Sequence, residues 1–187
     1  MIRVGIVGLG IGRMHLLAFA ELKGRYRVTT VCDVDEARAV EVAGWLRDVR
    51  PTTDPAEVWT ADDVDVVAIC TPPALHRAQV EAALRAGKDV ICEKPLVGSV
   101  RQVDELAALE VETGHHVMPV FQYRFGNGLQ KLKWLVDRDV TGRPYVANVD
   151  VAWLRGDALY LPPDWLAAHD PHAPVALGDY CAGSNHV

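Results

Sequence analysis

The sequence predicts an α/β fold: a doubly wound parallel sheet followed by a partial α+β second domain. Three observations predict it. Short, continuous apolar runs (IRVGIV at 2–7, VDVVAIC at 64–70, DVIC at 89–92) alternate with helical periodicity over the first 120 residues. Strands that are apolar at every position, rather than at alternate ones, are buried on both faces, as in parallel sheets covered by helices. The links are short, and crossovers between parallel strands are right-handed almost without exception, which winds helices onto both faces.

The elements follow in order. Residues 2–7 form the first strand. Residues 13–22 are expected to be a helix with Met14, Leu17, Ala18 and Leu22 on one face. Residues 27–32 are β-branched and strand-like, and 35–48 read as an alanine-rich helix. A short helix is expected at 55–60, a buried strand at 64–70, and a helix at 73–86 closed by Gly87 at the position after its C-cap. A strand at 88–92 follows. Ser99 with Gln102 makes a capping box that opens a helix to about 113, and 115–121 read as a further strand. Past 121 the character changes. A helix is expected at 128–138, a turn at Gly142-Arg143-Pro144, and an alternating, half-buried strand at 145–153 with Tyr145, Ala147, Val149 and Val151 on one side. Four prolines and little periodicity mark 156–187. The reading divides the chain into a nucleotide-binding domain, 1–120, and an incomplete start of a substrate and oligomerisation domain, 121–187.

Composition narrows the function. Half of the 187 residues are apolar and the formal net charge is −6, so no basic field gathers phosphate backbones and nucleic-acid binding is not expected. No apolar run approaches the roughly 20 residues that span a bilayer. The N-terminus reads directly as a strand with no leader pattern, which places the chain in the cytoplasm. The cysteines Cys32, Cys70, Cys92 and Cys181 form no C-x-x-C pair. Three of them end apolar runs and read as small fillers. His169 and His172 flank a proline in a loop-like stretch and are not read as metal ligands, so no metal site is expected.

Three motifs carry chemistry. Gly8-Leu9-Gly10-Ile11-Gly12 follows the first strand and opens a helix. Glycines there permit a tight turn and a close backbone approach to a pyrophosphate, and the helix N-terminus supplies free N–H groups to the anion. Asp33 lies 21 residues beyond Gly12 at the end of the second strand, where a carboxylate accepts both ribose hydroxyls of an adenosine and repels a 2′-phosphate. NAD is therefore expected over NADP, and the domain reads as a Rossmann unit. Thr71, Pro72 and His76 sit at the start of the helix after the 64–70 strand, on the edge that lines a ligand crevice. His76 read more plainly is a polar helix-start residue. Glu93-Lys94-Pro95 ends the strand at 88–92, where a lysine can hydrogen-bond a hydroxyl or carbonyl and stabilise developing negative charge. Its plainer reading is a solvated loop pair.

Together GLGIGRMH, CDVDEARA, TPPALH, AGKDVICEKPL and FQYRF resemble the Gfo/Idh/MocA oxidoreductases, a family that includes glucose–fructose oxidoreductase and inositol 2-dehydrogenase. The resemblance covers about residues 1–155. It implies an N-terminal Rossmann domain for NAD(P) and a C-terminal domain built on an open sheet that binds substrate and often forms homo-oligomers. It implies hydride transfer at a carbinol carbon of a sugar, inositol or related polyol. It makes Lys94 a catalytic residue, with a Lys94–Pro95 bond that is often cis, and places Arg124 at a substrate-facing position. The family also carries a later G-G-x-L-x-D-x-x-x-H motif. Here Ala176-Leu177-Gly178-Asp179 matches its beginning, Gly183 stands where the histidine is expected, and His186 comes three residues late. Asp179 and His186 are therefore the candidates for completing the catalytic set, with His186 as base and Asp179 orienting it. The tail reads as the truncated or frame-altered end of a longer member. The alternative function is a nucleotide-binding protein that holds NAD without turnover.

Overall fold

The computed structural model describes residues 1–150. The chain divides after Val120 into two compact units.

The first unit holds six parallel strands: β1 Ile2–Val7, β2 Tyr26–Cys32, β3 Arg50–Thr52, β4 Val66–Ile69, β5 Asp89–Cys92 and β6 Val117–Pro119. Their order across the sheet is β3-β2-β1-β4-β5-β6. The direction of winding reverses between β1 and β4, which opens a crevice at the carboxyl ends of those strands. Five helices cross between them: α1 Gly12–Glu21, α2 Glu36–Ala43, α3 Ala56–Trp59, α4 Pro73–Arg85 and α5 Val100–Thr113.

The two faces separate by strand parity. From β1, Val4 and Ile6 pack with Leu16 and Phe19 of α1 and Val42 of α2, while Val7 packs with Val80 and Leu84 of α4 and Leu106 of α5. From β4, Ala68 joins the first cluster and Val67 and Ile69 join the second. Full burial on both sides is the reason these strands are apolar throughout.

Several expectations need correction. The helix expected over 35–48 spans only Glu36–Ala43, capped by Asp35, whose side chain accepts the Arg38 N–H. Beyond it the chain turns, with Asp48 at φ 59°, to deliver a strand, β3, that its sequence Arg-Pro-Thr does not announce. Pro51 is tolerated because β3 lies at the sheet edge, and Pro119 occupies the opposite edge strand for the same reason. In α1 the expected face is wrong: Met14, Leu17 and Leu22 are exposed, and Gly12, Leu16 and Phe19 are buried. A Cβ on Gly12 would lie 3.1 Å from the Ile6 side chain, so close packing at Gly12 sets the rotation of the helix.

Other caps are as expected. Gly87 follows α4 at φ 76°. Ser99 accepts the Gln102 N–H at 3.4 Å, and the Gln102 side chain reaches back to the Gly98 N–H at 3.0 Å.

The sheet's amino end is pinned by Asp65, which accepts from the Arg3 backbone N–H at 2.7 Å and from its guanidinium. The Arg3 side-chain hydrogen bond, with its backbone N–H, draws the Asp65 carboxyl down to about 2 against the opposing effect of burial. A depressed carboxyl stabilises the fold above its unfolded range and loses that contribution as pH falls toward the folded value. The unfolding midpoint of the wild type is therefore expected to converge on that of Asp65→Asn as pH drops from ~4.5 to ~2.5. The shift is modest because both side chains are well exposed to screening solvent. A constant offset between the two proteins across that window would remove the pair as its source.

In the second unit a short 3₁₀ turn, Gln122–Phe125, leads into α6, Asn127–Asp137, and the chain turns at Gly142 with φ 64°. The strand expected from 145 is not formed over residues 145–150, where Tyr145, Val146 and Val149 are exposed. No partner strand lies beside this segment among the described residues, and a lone strand has no ladder to join. The remainder of that expected strand, and the proline-rich stretch after it, lie outside the described residues.

Among the described residues no helix is long and apolar enough to cross a membrane.

Candidate active site

Strand register assembles the site. Val7 pairs with Cys32 on one side and Ile69 on the other, and Ile69 pairs with Cys92. The residues that follow these partners, Asp33, Gly8, Cys70 and Glu93, therefore stand in a row along the carboxyl edge. The backbone ladder runs one step into that row: Gly8 N–H donates to Cys32, Cys70 N–H to Val7 and Glu93 N–H to Ile69.

The three loop glycines meet three different demands. Gly8 has φ 89°, and a Cβ there would lie 2.7 Å from the Cys70 carbonyl carbon and oxygen and 2.8 Å from the Thr71 nitrogen, so glycine is forced by the turn and by the neighbouring backbone. Gly12 permits α1 to lie against Ile6 and Cys70. A Cβ on Gly10 would meet nothing within 4 Å. Nothing among the described residues demands glycine at position 10, and it faces open space beside the N-terminus of α1. Ile11, half exposed, precedes the first helical residue.

Asp33 is buried and already engaged. Its Oδ2 accepts the Leu9 N–H at 2.8 Å, and its Oδ1 accepts the Asp35 N–H at 3.0 Å and an Arg38 guanidinium N–H at 3.1 Å. A carboxylate offers about four acceptor sites, so one, on Oδ2, is left for a ligand hydroxyl.

His76 is placed differently from the expectation. Its ring is fully buried, with one nitrogen 2.7 Å from the Thr71 carbonyl oxygen and the other 2.7 Å from that of Pro95. It has no free edge for a cofactor. It lies between the chain just after β4 and the Lys94 loop, a place that position at a helix start does not reveal. Thr71 gives its hydroxyl to Gln79 at 2.6 Å, and Pro72 caps α4, with Pro73 at the first helical position.

Glu93 is buried, and Lys94 beside it is partly exposed at the crevice, with a cis Lys94–Pro95 bond. One Glu93 carboxylate oxygen lies 2.9 Å from His15 Nε2, and the other accepts the Lys94 N–H at 3.2 Å. Burial raises the Glu93 carboxyl, but the His15 hydrogen bond and the His15 and Lys94 charges outweigh it and hold the group below its ordinary range. His15 was not singled out from the sequence. Its signal was position: it falls three residues after Gly12, on the first turn of α1.

Burial pushes the Cys32 thiol up to about 12, and pushes Cys70 and Cys92 further, which suits fillers rather than nucleophiles. Among the described residues no group of three or more His, Cys, Asp and Glu side chains is arranged to hold a metal ion. Arg124 is exposed on the 3₁₀ turn of the second unit. Asp179 and His186 lie outside the described residues, as do His169, His172 and Cys181.

A profile described as an oxidoreductase family with an NAD-binding Rossmann fold matches residues 2–121. The chain belongs to the Gfo/Idh/MocA oxidoreductase family. An inositol 2-dehydrogenase of Rhodococcus erythropolis is 37% identical over 149 residues, which cover 79% of this chain and 43% of that protein. The WlbA dehydrogenase of Bordetella pertussis, solved with NADH and UDP-GlcNAcA, is 27% identical, with a TM-score of 0.81 over 88% of this chain and 50% of that one. A 3-ketoreductase of Actinomadura kijaniata, solved with TDP-benzene and NADP, is 29% identical, with a TM-score of 0.67 over 74% of this chain and 44% of that one. The chain thus spans about half the length of these Gfo/Idh/MocA relatives or less.

Proposed function

We propose that the chain binds NAD along the carboxyl edge of its sheet and serves hydride transfer at a carbinol carbon of an inositol, sugar or related polyol. The observation that carries this reading is Gly10: no described residue crowds a side chain there, and a pyrophosphate at the α1 N-terminus would. Gly8, Gly10, Ile11 and Gly12 would cradle the pyrophosphate, with Asp33 at the adenosine ribose and Thr71 and Pro72 along the far lip. When bound, the dinucleotide supplies the hydride acceptor. Lys94, at the crevice beside the anionic Glu93, hydrogen-bonds the reacting hydroxyl and favours its loss of a proton. Arg124 serves the substrate, and Asp179 and His186 are proposed for the base.

NAD is favoured over NADP because Asp33, Asp35 and Glu36 outnumber Arg38 around the end of β2. The inositol-dehydrogenase relative supports the polyol class.

Calorimetric titration of the chain with NAD and with NADP tests the binding half. NAD is expected to bind with a dissociation constant on the order of micromolar to millimolar, and NADP more weakly. For the chemical half, Lys94→Ala is expected to keep NAD binding and to lower polyol-dependent NADH formation by about 100-fold or more. Full turnover in Lys94→Ala would remove the lysine from the reaction, and NAD binding with no turnover of any polyol would leave nucleotide binding as the function.

A further inference from the structure

The Glu93 carboxylate is buried directly after β5. Cores rarely keep a carboxylate unless it is paired and hydrogen-bonded, because the desolvation cost is several kcal/mol. Here the pairing comes from a different element: His15 Nε2, 2.9 Å away on α1. Both side chains are largely shielded from solvent, at 16% and 10% exposure, so the contact is not a screened surface pair. The second Glu93 oxygen holds the Lys94 N–H. A continuous path of bonds thus runs from the helix that starts at the glycine loop, through one carboxylate, to the backbone of the proposed catalytic lysine. α1 itself is fixed to the sheet by the close packing of Gly12 on Ile6 and Cys70.

We propose that His15 is a positioning residue for Lys94, acting through Glu93, and that the pair couples the seating of a dinucleotide on the α1 N-terminus to the placement of the Lys94 loop. The inference rests on the dinucleotide reading above. It makes the bridge strongest when His15 is an imidazolium facing an ionised Glu93. The other titratable and charged groups acting on Glu93 or shifted by it are the Cys70 thiol just after β4 and the Cys92 thiol at the end of β5, both pushed far up by burial and by Glu93, and the Lys94 cation; Arg13, on the same helix as His15, is hydrogen-bonded to the Gly10 carbonyl instead. Replacing His15 by Gln keeps a hydrogen-bonding side chain and removes the one imidazole from this set.

The test is NAD titration of the 187-residue chain from pH ~5.5 to ~8.5, the window in which histidine changes charge, for wild type, His15→Gln, Glu93→Gln and the double variant. Urea unfolding of each is run beside it to hold fold stability in view. The wild type is expected to bind NAD most tightly on the acid side and to weaken as pH rises. His15→Gln is expected to show no such slope and to bind about tenfold more weakly than wild type at the acid end. The double variant is expected to be no worse than the worse single, because both changes break one contact. A pH slope unchanged in His15→Gln, or single effects that simply add, would overturn the coupling while leaving NAD binding in place. A wild type that binds no NAD at any pH would instead overturn the dinucleotide reading, and the coupling with it.

Discussion

Gly8→Ala is expected to destabilise the fold by on the order of 3 kcal/mol or more, and Gly10→Ala by less than ~0.5 kcal/mol, although both lie in one loop two residues apart. At Gly8 two costs combine. The backbone sits at φ 89°, where a side chain is strained, and the new methyl would press on the carbonyl of Cys70 and the nitrogen of Thr71. Those atoms belong to the β4 edge beside β1 and cannot rotate away as a side-chain tip would. At Gly10 neither cost applies. The nucleotide effect of Gly10→Ala is expected to be out of proportion to its effect on the fold. Gly10→Ala should fold like the wild type and lose about tenfold or more in NAD affinity, because the methyl occupies the approach to the pyrophosphate. Urea unfolding and calorimetry on the two variants check both halves. A Gly10→Ala protein with undiminished NAD affinity would remove the open side of the loop as the dinucleotide seat.

Asp33→Ala is expected to lose both NAD affinity and stability. Leu9 is fully buried and its N–H has the Asp33 carboxylate as acceptor. Truncation leaves a buried donor unmet, which costs about 1–3 kcal/mol. It also frees Arg38 from Asp33 and removes a negative charge at the end of β2, so the preference for NAD over NADP is expected to narrow. Asp33→Asn separates the parts. Its amide oxygen can still accept from Leu9, but its NH₂ then faces the Asp35 N–H and the Arg38 guanidinium, so only part of the stability returns. Asp33→Ala with wild-type unfolding and wild-type NAD binding would show that the carboxylate serves neither loop nor ligand.

Most of the first unit was legible because its strands are buried on both faces and announce themselves as unbroken apolar runs. The misreadings share one cause. Alanine propensity argued for a helix through residue 48, but the sheet needed an edge strand at Arg50–Thr52, and tertiary pairing ended the helix at Ala43. The apolar residues of α1 suggested a face through Met14 and Leu17, but the close approach at Gly12 turned Leu16 and Phe19 inward instead. Spacing marks Gly8, Gly10, Gly12 and Asp33 as a set, yet it cannot say which glycine the fold requires and which it merely allows.

The sequence by itself determined the α/β class, the alternation of strands and helices apart from β3, the glycine loop before α1, the carboxylate at the end of β2 and the Glu-Lys-Pro turn after β5. These are local facts, written in runs, caps and short spacings. Only the tertiary structure decided what those residues do to one another. Parallel register set Asp33, Gly8, Cys70 and Glu93 side by side although they are separated along the chain. It buried His76 between the Thr71 and Pro95 carbonyls, filled three of the acceptor sites of Asp33, and joined His15 to Glu93 across 78 positions. Such pairings arise where strand ends converge, and no periodicity within a single element records them.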